Sequence, residues 1–248
     1  MIMKKFLKNK IALVVGASGD IGLAISKELI SNGAKVILHS KKGNAKFKKF
    51  CKINSINILE VIKFDLLDIE YMQKIIKKKL YRKKYKIDFL INSAGFASGS
   101  IFEMTSISDI KKMFDINFFS QLRLIQLVLR LMKNSKNASI SNIGSISGIV
   151  PYRGNLSYGT SKSAIMFATK ILSKELATYK IRVNAVAPGV VSSQMADTMD
   201  KQVRVKMVKQ SSLKREIKPF EVAKKIAYLC SDEAVKVNGQ ILKIDGKL

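Results

Sequence analysis

Short apolar segments alternate along this chain with longer segments in which apolar residues recur at helical spacing. An apolar run of five or six residues is typical of a buried strand, and a period near 3.6 is typical of an amphipathic helix. The pattern predicts seven strands, at Ile11–Val15, Lys35–His39, Ile58–Phe64, Ile87–Ile91, Ala138–Ile143, Ile181–Val186 and Ile241–Ile244. It predicts helices at about 20–31, 44–53, 68–84, 107–133, 157–179, 196–209 and 219–230.

Strands and helices alternate without a linker or an internal repeat, which favours parallel βα units in one domain spanning residues 1–248. Right-handed crossovers then give an α/β, doubly wound sheet of Rossmann type with helices on both faces. Three long loops, at residues 92–105, 144–156 and 187–196, each follow a strand. Because ligands bind at the carboxyl ends of such strands, we expect these loops to line one cleft.

The composition supports an intracellular protein with one large core. Apolar residues make up 47% of the 248 positions. Cys51 and Cys230 are far apart, so neither a disulfide framework nor a metal site is predicted. The basic first ten residues lack an apolar signal region, and no apolar run is long enough to span a membrane. We therefore expect a cytoplasmic protein that does not enter a membrane.

The chain is strongly basic, with a net charge of +27 from 45 basic and 18 acidic side chains. Such a charge can indicate a nucleic acid, an anionic membrane or an acidic carrier protein as partner. Only seven of the basic residues are arginines, however, and the lysines are spread over nearly every predicted element. This distribution favours a compositional bias over a nucleic-acid partner. The densest run, Lys77–Lys86, is interpreted as the solvated end of a helix.

A glycine-rich turn lies between the first strand and the first helix. In the segment IALVVGASGDIGLAI, the glycines are Gly16, Gly19 and Gly22. Glycine permits a tight turn and a close approach of the backbone to a pyrophosphate, and the helix N-terminus attracts the anion. The turn therefore predicts dinucleotide binding, although the same spacing also suits a tight βα turn without a ligand.

The end of the second strand indicates the type of dinucleotide. A carboxylate there binds the ribose 2′-hydroxyl of NAD, whereas a cation accommodates the 2′-phosphate of NADP. This chain has His39, Ser40, Lys41 and Lys42 at that place. NADP(H) is therefore the predicted cofactor, with NAD(H) as the alternative. Asp65, after the third strand, is predicted either to bind the adenine amino group or to cap the next helix.

Candidate acid–base chemistry lies on the helix predicted at 157–179. Tyr158 and Lys162 are four residues apart and project from one face. A neighbouring ammonium stabilises a phenolate, so Lys162 is expected to lower the pKa of Tyr158. Ser145 follows the fifth strand, and its hydroxyl is expected to bind a substrate carbonyl in the same cleft. A tyrosine and a lysine at this spacing also occur by chance, and Ser145 is what favours the catalytic interpretation.

Together these motifs resemble the short-chain dehydrogenase/reductase family over essentially the whole chain. The resemblance rests on the glycine turn, Ile91–Gly95, Asn117, Ser145, Tyr158 with Lys162, Arg182–Gly189 and Asn238–Gly246. It implies a hydride-transferring oxidoreductase that interconverts a carbonyl and a secondary alcohol through a tetrad of Asn117, Ser145, Tyr158 and Lys162. In that tetrad Asn117 holds a water that relays protons to Lys162. The implied cofactor residues are Gly16, Ser18, Gly19, Asp20, Ile21, Gly22, His39, Ser40, Lys41, Asp65, Leu66, Asn92, Ala94, Gly95, Tyr158, Lys162, Pro188, Gly189, Val191 and Ser193.

Some positions differ from the usual family pattern. The middle glycine of the turn is Gly19, one position earlier than in the usual family pattern, so Asp20 stands at the start of the helix. A carboxylate suits the helix dipole there but is unfavourable near a pyrophosphate. Ser93 replaces an asparagine, and Ser193 replaces a threonine while keeping a hydroxyl. The tetrad itself is intact.

The substrate class is predicted from the residues around the cleft and from the family resemblance. The expected substrate residues are Ser145, Ile149, Tyr152, Tyr158 and Val190. The chain most resembles 3-oxoacyl-acyl-carrier-protein reductases, which implies a carrier-linked or small carbonyl substrate, with Arg130 and Lys174 as candidate contacts for an acidic carrier. One alternative is a sugar or another small polar carbonyl compound. A weaker one is a non-catalytic cofactor sensor or nucleic-acid-binding protein on the same fold, which has no need of the intact tetrad.

Self-association is also expected. The helix predicted at 107–133 carries apolar residues around much of its circumference, which exceeds one core-facing stripe. The resemblance implies a homotetramer or a homodimer.

Overall fold

One parallel sheet organises the structure. The computed structural model describes residues 5–211 and 213–245, so Gly246 of the last motif lies outside the described residues. Within them the strands are β1 Ile11–Val15, β2 Lys35–His39, β3 Ile58–Ile62, β4 Phe89–Asn92, β5 Ala138–Ile143, β6 Ile181–Pro188 and β7 Ile241–Ile244. They pair in the order β3-β2-β1-β4-β5-β6-β7, all parallel. The predicted number, direction and places of the strands are confirmed.

Helices connect the strands on both faces of the sheet. The described helices are α1 Asp20–Ser31, α2 Ala45–Ile53, α3 Ile69–Ile76, α4 Ile107–Phe114, α5 Ser120–Met132, α6 Leu156–Glu175, α7 Gln194–Asp197, α8 Lys201–Gln210 and α9 Pro219–Cys230. Buried apolar residues of α1, α2 and α9 pack on one face, and those of α3 and α5 pack on the other. This arrangement confirms the doubly wound class. No helix in the described part of the chain is long and apolar enough to cross a membrane.

Several element boundaries differ from the predictions. The helix expected at 107–133 contains a π-helical turn, Asp115–Phe119, between α4 and α5. The helix expected at 196–209 is divided into α7 and α8, because the Asp200 side chain accepts hydrogen bonds from the N–H groups of Gln202 and Val203 and starts a new helix. The third strand ends at Ile62, before the predicted end.

The winding of the sheet reverses at β1, which pairs with β2 on one side and β4 on the other. At the carboxyl end of β1, Val15 lies beside both His39 and Asn92. In doubly wound sheets the ligand crevice forms at this reversal point. The fold therefore brings the glycine turn, the end of β2 and the loop after β4 to one place.

A buried arginine fastens the chain's last segment to the sheet. Arg182 on β6 is 7% exposed. Its guanidinium donates to the carbonyl oxygens of Leu229, at 2.9 Å, and Val237, at 3.4 Å, and to Asn137 Oδ1 at 3.2 Å. Three separate segments thus depend on one side chain.

We predict that Arg182→Met lowers the free energy of unfolding by about 2–4 kcal/mol, because buried hydrogen-bond acceptors lose a charged donor. Urea unfolding followed by circular dichroism measures this change. The matched control is Arg82→Met at an exposed position. Equal effects of the two substitutions would contradict this interpretation of Arg182.

Candidate active site

The glycine turn is shaped by contact with the loop after β4. Gly16 has φ of +79°, a left-handed conformation that favours glycine. A methyl group at Gly16 would lie only 2.6 Å from the Ala94 Cα. Gly19 forms the N-cap of α1 and has no side chain to occupy the helix N-terminus. The turn therefore leaves its backbone and the start of α1 accessible, as an anionic ligand requires.

His39 fastens this turn from the side. Its Nδ1 accepts a hydrogen bond from Gly16 N–H at 3.3 Å, and its Nε2 lies 3.1 Å from Phe64 O. The ring stacks on Phe64 with 3.9 Å between centroids. Burial lowers the pKa of His39 to about 4, so the imidazole is neutral at pH 7. Both ring nitrogens are thus engaged inside the protein, and the side chain acts on the predicted cofactor site through Gly16.

The cation predicted to recognise a 2′-phosphate forms an ion pair in this structure. Lys41 Nζ lies 2.5 Å from Asp65 Oδ2. Partial burial raises the pKa of Asp65, but hydrogen bonds from Lys41 and Leu67 N–H outweigh it and leave the pKa below its usual value. The capping role considered for Asp65 belongs instead to Asp68, whose side chain accepts from Tyr71 N–H at the start of α3.

Five buried side-chain oxygens lack hydrogen-bond partners in the described residues; two are Gln121 Oε1 and Ser141 Oγ, and the other three lie at the ends of β2 and β4. These three are Ser40 Oγ after β2, Asn92 Oδ1 at the end of β4, and Ser93 Oγ beside it. Buried polar atoms are rarely left unsatisfied, so unpaired ones in a crevice indicate a missing polar ligand. Together with the open glycine turn, these atoms fit a dinucleotide.

Two amide side chains hold the loop after β4 in place. Asn117 lies in the π-helical turn, where its Oδ1 accepts from Phe96 N–H and its Nδ2 donates to Phe96 O, both at 2.9 Å. Its Nδ2 also donates to Ser161 Oγ at 3.0 Å. One turn further on, Gln121 Nε2 donates to Ala94 O at 2.9 Å. The four-residue spacing places both amides on the side of the helix that faces the loop, and π-helical turns are frequent at functional sites.

Helix α6 packs closely against the loop after β5, which brings together the predicted acid–base residues. A methyl group at Gly159 would lie 2.7 Å from Ser147 O, so only glycine permits this approach. Ser145 is buried at the end of β5, and its Oγ accepts from Ser147 N–H at 3.2 Å. Tyr158 lies on the adjoining turn of α6, and the neighbouring Ser145 side chain lowers the pKa of its phenol.

Lys162 is buried beneath this pair. Its side chain is 3% exposed, and its Nζ donates to Ile143 O at 2.8 Å. The same nitrogen lies 5.8 Å from the centroid of the Tyr158 ring. Burial lowers the pKa of Lys162 to about 8. The four residues predicted as a tetrad are therefore neighbours; Asn117, Ser145 and Lys162 are buried and Tyr158 is partly exposed.

The expected electrostatic effect of Lys162 on Tyr158 is not observed. Burial raises the pKa of Tyr158, and the interaction with Ser145 only partly offsets this rise. The ammonium of Lys162 points to Ile143 O instead of the phenol oxygen. The prediction of a lowered pKa is thus wrong for this structure, because desolvation outweighs the interaction with Ser145. Tyr158 consequently remains a neutral phenol that can donate a proton.

Three of the five predicted substrate residues line two cavities instead of one, and Ser145 and Tyr158 line neither of these two. Tyr152 and Val190 border a cavity of about 370 Å³ together with Met207 of α8. Ile149 borders a larger cavity, of about 710 Å³, formed by the loops after β4 and β5. Tyr152 lines both cavities. The two loops are joined by a hydrogen bond from Ser100 N–H to Gly154 O at 2.9 Å. Two of the three predicted cleft loops are thus in direct contact.

The other predicted cofactor residues have mixed environments. Leu66 and Val191 are buried in the core, and Ile21 packs against it. Ser193 caps α7, where its Oγ accepts from Ala196 N–H at 3.3 Å. Gly22 lies in α1, and Ser18 O accepts a hydrogen bond from Asn44 Nδ2. Gly95 follows Ala94 in the loop after β4. Pro188 is the last residue of β6, and Gly189 follows it.

Some contributions were missed in the sequence. Gln121 is four residues after Asn117, and this helical spacing could have identified it. Ser161, which directly precedes Lys162 on α6, was also missed. Asp20 does not only begin α1, because its carboxylate accepts from Gln194 N–H at 2.9 Å. No sequence signal predicts that contact, which spans 174 positions. Arg130 and Lys174 are exposed on α5 and α6.

Comparisons with known proteins agree with this geometry. Residues 16–246 match a family model described as Enoyl-(Acyl carrier protein) reductase. The 3-oxoacyl-acyl-carrier-protein reductase of Aquifex aeolicus is 31% identical, over 97% of each chain. The enzyme of the same name from Rickettsia conorii is 34% identical, again over 97% of each chain.

Solved structures give the same result. A short-chain dehydrogenase/reductase from Serratia marcescens superimposes with a TM-score of 0.88 at 29% identity, over 97% of this chain and 98% of that one. A dehydrogenase/reductase from Sinorhizobium meliloti gives a TM-score of 0.89 at 26% identity, over 98% and 96%. The chain belongs to the short-chain dehydrogenase/reductase family and is a nicotinamide-dependent oxidoreductase of CH–OH groups.

Proposed function

We propose that this chain is an NADP(H)-dependent 3-oxoacyl-acyl-carrier-protein reductase that converts a 3-oxoacyl thioester into the 3-hydroxy product. One observation carries the reaction type: Tyr158 interacts with the Ser145 side chain and lies beside the buried ammonium of Lys162, which is 5.8 Å from its ring centroid. Two neighbouring hydroxyls suit a carbonyl oxygen as ligand. The substrate class is supported by the relatives named 3-oxoacyl-acyl-carrier-protein reductase.

In the reductive direction, the substrate oxygen accepts hydrogen bonds from Ser145 and Tyr158. A reduced nicotinamide, when bound, supplies hydride to the carbonyl carbon. Tyr158 transfers its phenolic proton to the oxygen, which gives the secondary alcohol. Tyr158 begins the reaction protonated, because its pKa lies above the ordinary value of a tyrosine.

Lys162 then restores the proton of Tyr158 and stabilises the phenolate formed during the reaction. Its pKa of about 8 lies close to neutral pH, where a proton donor is most effective. Asn117 connects the loop at Phe96 to Ser161 on α6. Its role in holding a relay water stays a prediction.

The cofactor preference follows from charge at the end of β2. Lys41 and Lys42 are exposed there, and no carboxylate is present at the end of that strand. A bound 2′-phosphate would compete with Asp65 for the ammonium of Lys41. Ser40 Oγ, Asn92 Oδ1 and Ser93 Oγ, which lack partners, would be available to bind the nucleoside. We therefore propose NADP(H), with NAD(H) as the alternative.

The description of the matching family model names a different reaction, the reduction of a carbon–carbon double bond. That reaction ends with protonation at carbon. The neighbouring hydroxyls of Ser145 and Tyr158 suit an oxygen atom, so carbonyl reduction agrees better with the site. Enoyl thioesters, sugars and small ketones therefore serve as competing substrates in the test.

Self-association and location are proposed with this function. Exposed apolar side chains on the π-helical turn and α6, namely Phe119, Phe167 and Ile171, form a surface suited to helix pairing. We propose a homotetramer or homodimer in the cytoplasm.

The first prediction concerns Tyr158. Tyr158→Phe removes the proton donor, so the rate of NADPH oxidation with 3-oxoacyl thioesters should fall by about a thousandfold or more. Binding of NADPH, measured by fluorescence titration, should be retained. Wild-type protein is assayed beside it with 3-oxoacyl and enoyl thioesters, sugars and small ketones.

The matched control is Tyr71→Phe, at an exposed tyrosine. Near-normal turnover of Tyr158→Phe would refute the assigned proton donor. Turnover of wild type with enoyl thioesters alone would refute carbonyl reduction, and turnover with sugars alone would move the substrate to that class.

The second prediction concerns the cofactor. Replacement of Lys41 and Lys42 by alanine should raise the KM for NADPH by about tenfold or more, because a charged hydrogen bond to phosphate is lost. The KM for NADH should stay within about twofold. Lys27→Ala, at an exposed position of α1, is the control. An equal change for both cofactors would assign the two lysines no role in choosing between them.

The third prediction concerns the burial of Lys162. Its pKa falls from 10.5 in the unfolded chain to about 8 in the folded protein. Below pH 8 both states carry the proton, and the full cost of burying the ammonium applies. Between pH 8 and pH 10.5 the folded state releases the proton first, so this cost decreases as pH rises.

Lys162→Met should therefore raise the free energy of unfolding by about 1–3 kcal/mol at pH 7 while abolishing turnover. Its advantage over wild type should narrow between pH 8 and pH 10. Urea unfolding across this pH range measures the difference, with Lys170→Met on the exposed side of α6 as control. A pH-independent difference would show that burial of the charge is not its source.

A further inference from the structure

Helices α7 and α8 are held together as one unit, which we call the lid segment, residues 194–210. Arg204 on α8 joins its parts. Its Nε and Nη2 donate to the two carboxylate oxygens of Glu216, at 2.6 and 2.9 Å. Its Nη1 donates to Asp197 Oδ1 at 2.8 Å and to Ala196 O at 3.2 Å. The contacts of Nη1 with Asp197 and Ala196 tie α8 to α7, so the two helices are expected to move together. The forked pair fixes α8 to Glu216, which follows the lid segment and precedes Ile217.

One end of the lid segment is fixed to the core. Ser192 N–H donates to Ile217 O at 2.9 Å, and Ile217 N–H donates to Val190 O at 2.8 Å. Ile217 and Val191 are 3% and 7% exposed. The short parallel bridge between Val191 and Ile217 fixes the chain just before the lid segment to the chain just after it.

The other attachment is a carboxylate at the glycine turn. Asp20 is the first residue of α1, and its Oδ2 accepts from Gln194 N–H at 2.9 Å. Its Oδ1 lies 3.0 Å from Lys46 Nζ. Gln194 directly follows Ser193, a predicted nicotinamide contact. Asp20 therefore connects the two walls between which a dinucleotide has to lie.

A purely local role for Asp20 does not account for these contacts. A carboxylate in the first turn of a helix is stabilised by the dipole of that helix. Here, however, both oxygens are directed to groups outside α1, one on α7 and one on α2. An acidic side chain beside an anion-binding turn is electrostatically unfavourable, and the ion pair with Lys46 offsets this cost.

We propose that Asp20 is a positioning residue that holds the lid segment closed against the glycine turn through Gln194 N–H, and that this contact opens when cofactor enters or leaves. The inference rests on the proposed cofactor site. The contact depends on the side-chain oxygen of Asp20 as a hydrogen-bond acceptor and not on its negative charge. Asparagine at this position keeps an acceptor without the charge, whereas alanine removes both.

Limited proteolysis of the full-length, cofactor-free protein tests the contact without any enzyme assay. Trypsin can cleave within the lid segment after Lys201, Arg204, Lys206 and Lys209, and mass spectrometry locates the cleavages. Asp20→Ala should increase cleavage there by about tenfold, the effect of one lost hydrogen bond to a charged group. Asp20→Asn should stay within about threefold of wild type, because the acceptor remains.

The matched control is Asp109→Ala, which removes an exposed carboxylate from the first turn of α4. Urea unfolding of each variant shows whether cleavage follows global stability. Lid cleavage of Asp20→Ala at the rate of wild type would overturn the proposal. Equal cleavage of Asp20→Asn and Asp20→Ala would overturn it too, because charge would then be the cause.

Cofactor release gives a second measurement. Dissociation of NADPH, followed by stopped-flow fluorescence during displacement by excess NADP, should be about tenfold faster in Asp20→Ala than in Asp20→Asn. Equal rates would overturn the gating role. If wild type bound no NADPH, the proposed function would fail, and the proteolysis result would still decide whether Asp20 holds the lid segment.

Discussion

The site depends on the close approach of helix α6 to the loop that follows β5. Gly159 permits this approach, because a methyl group there would lie 2.7 Å from Ser147 O. As a result the Ser145 side chain lies close enough to Tyr158 to lower its pKa, and the Lys162 side chain extends to Ile143 O. Without this contact, the four-residue spacing of tyrosine and lysine would place both on one helix face but not beside a serine.

The same packing has an energetic cost that the chemistry requires. A buried ammonium and a buried phenol each shift in pKa towards their neutral forms. For Lys162 this shift brings the pKa close to neutral pH, and for Tyr158 it keeps the proton on the oxygen. Stability is reduced by the features that make proton transfer effective, a relation common in active sites. Buried oxygens without a hydrogen-bond partner at the sheet edge, such as Asn92 Oδ1, also reduce stability.

Side chains outside the tetrad organise its surroundings. Asn117 and Gln121 hold the loop after β4, His39 holds the glycine turn, and Arg204 unites α7 and α8. Each side chain joins segments that are distant in sequence. The loops that carry the predicted ligand contacts are therefore positioned by rigid elements, which is what an oriented cofactor and substrate need.

The sequence by itself determined the order of strands and helices along the chain, the doubly wound class and the glycine turn, and it supplied the candidate tetrad. Periodicity and ordered motifs are local properties, so they can be recognised without coordinates. The tertiary structure alone decided the environments. The π-helical turn at Asn117, the ion pair of Lys41 with Asp65, the raised pKa of Tyr158 and the contact of Asp20 with Gln194 depend on segments that meet only after folding. Burial and distance set charge states, and neither can be obtained from spacing along a helix.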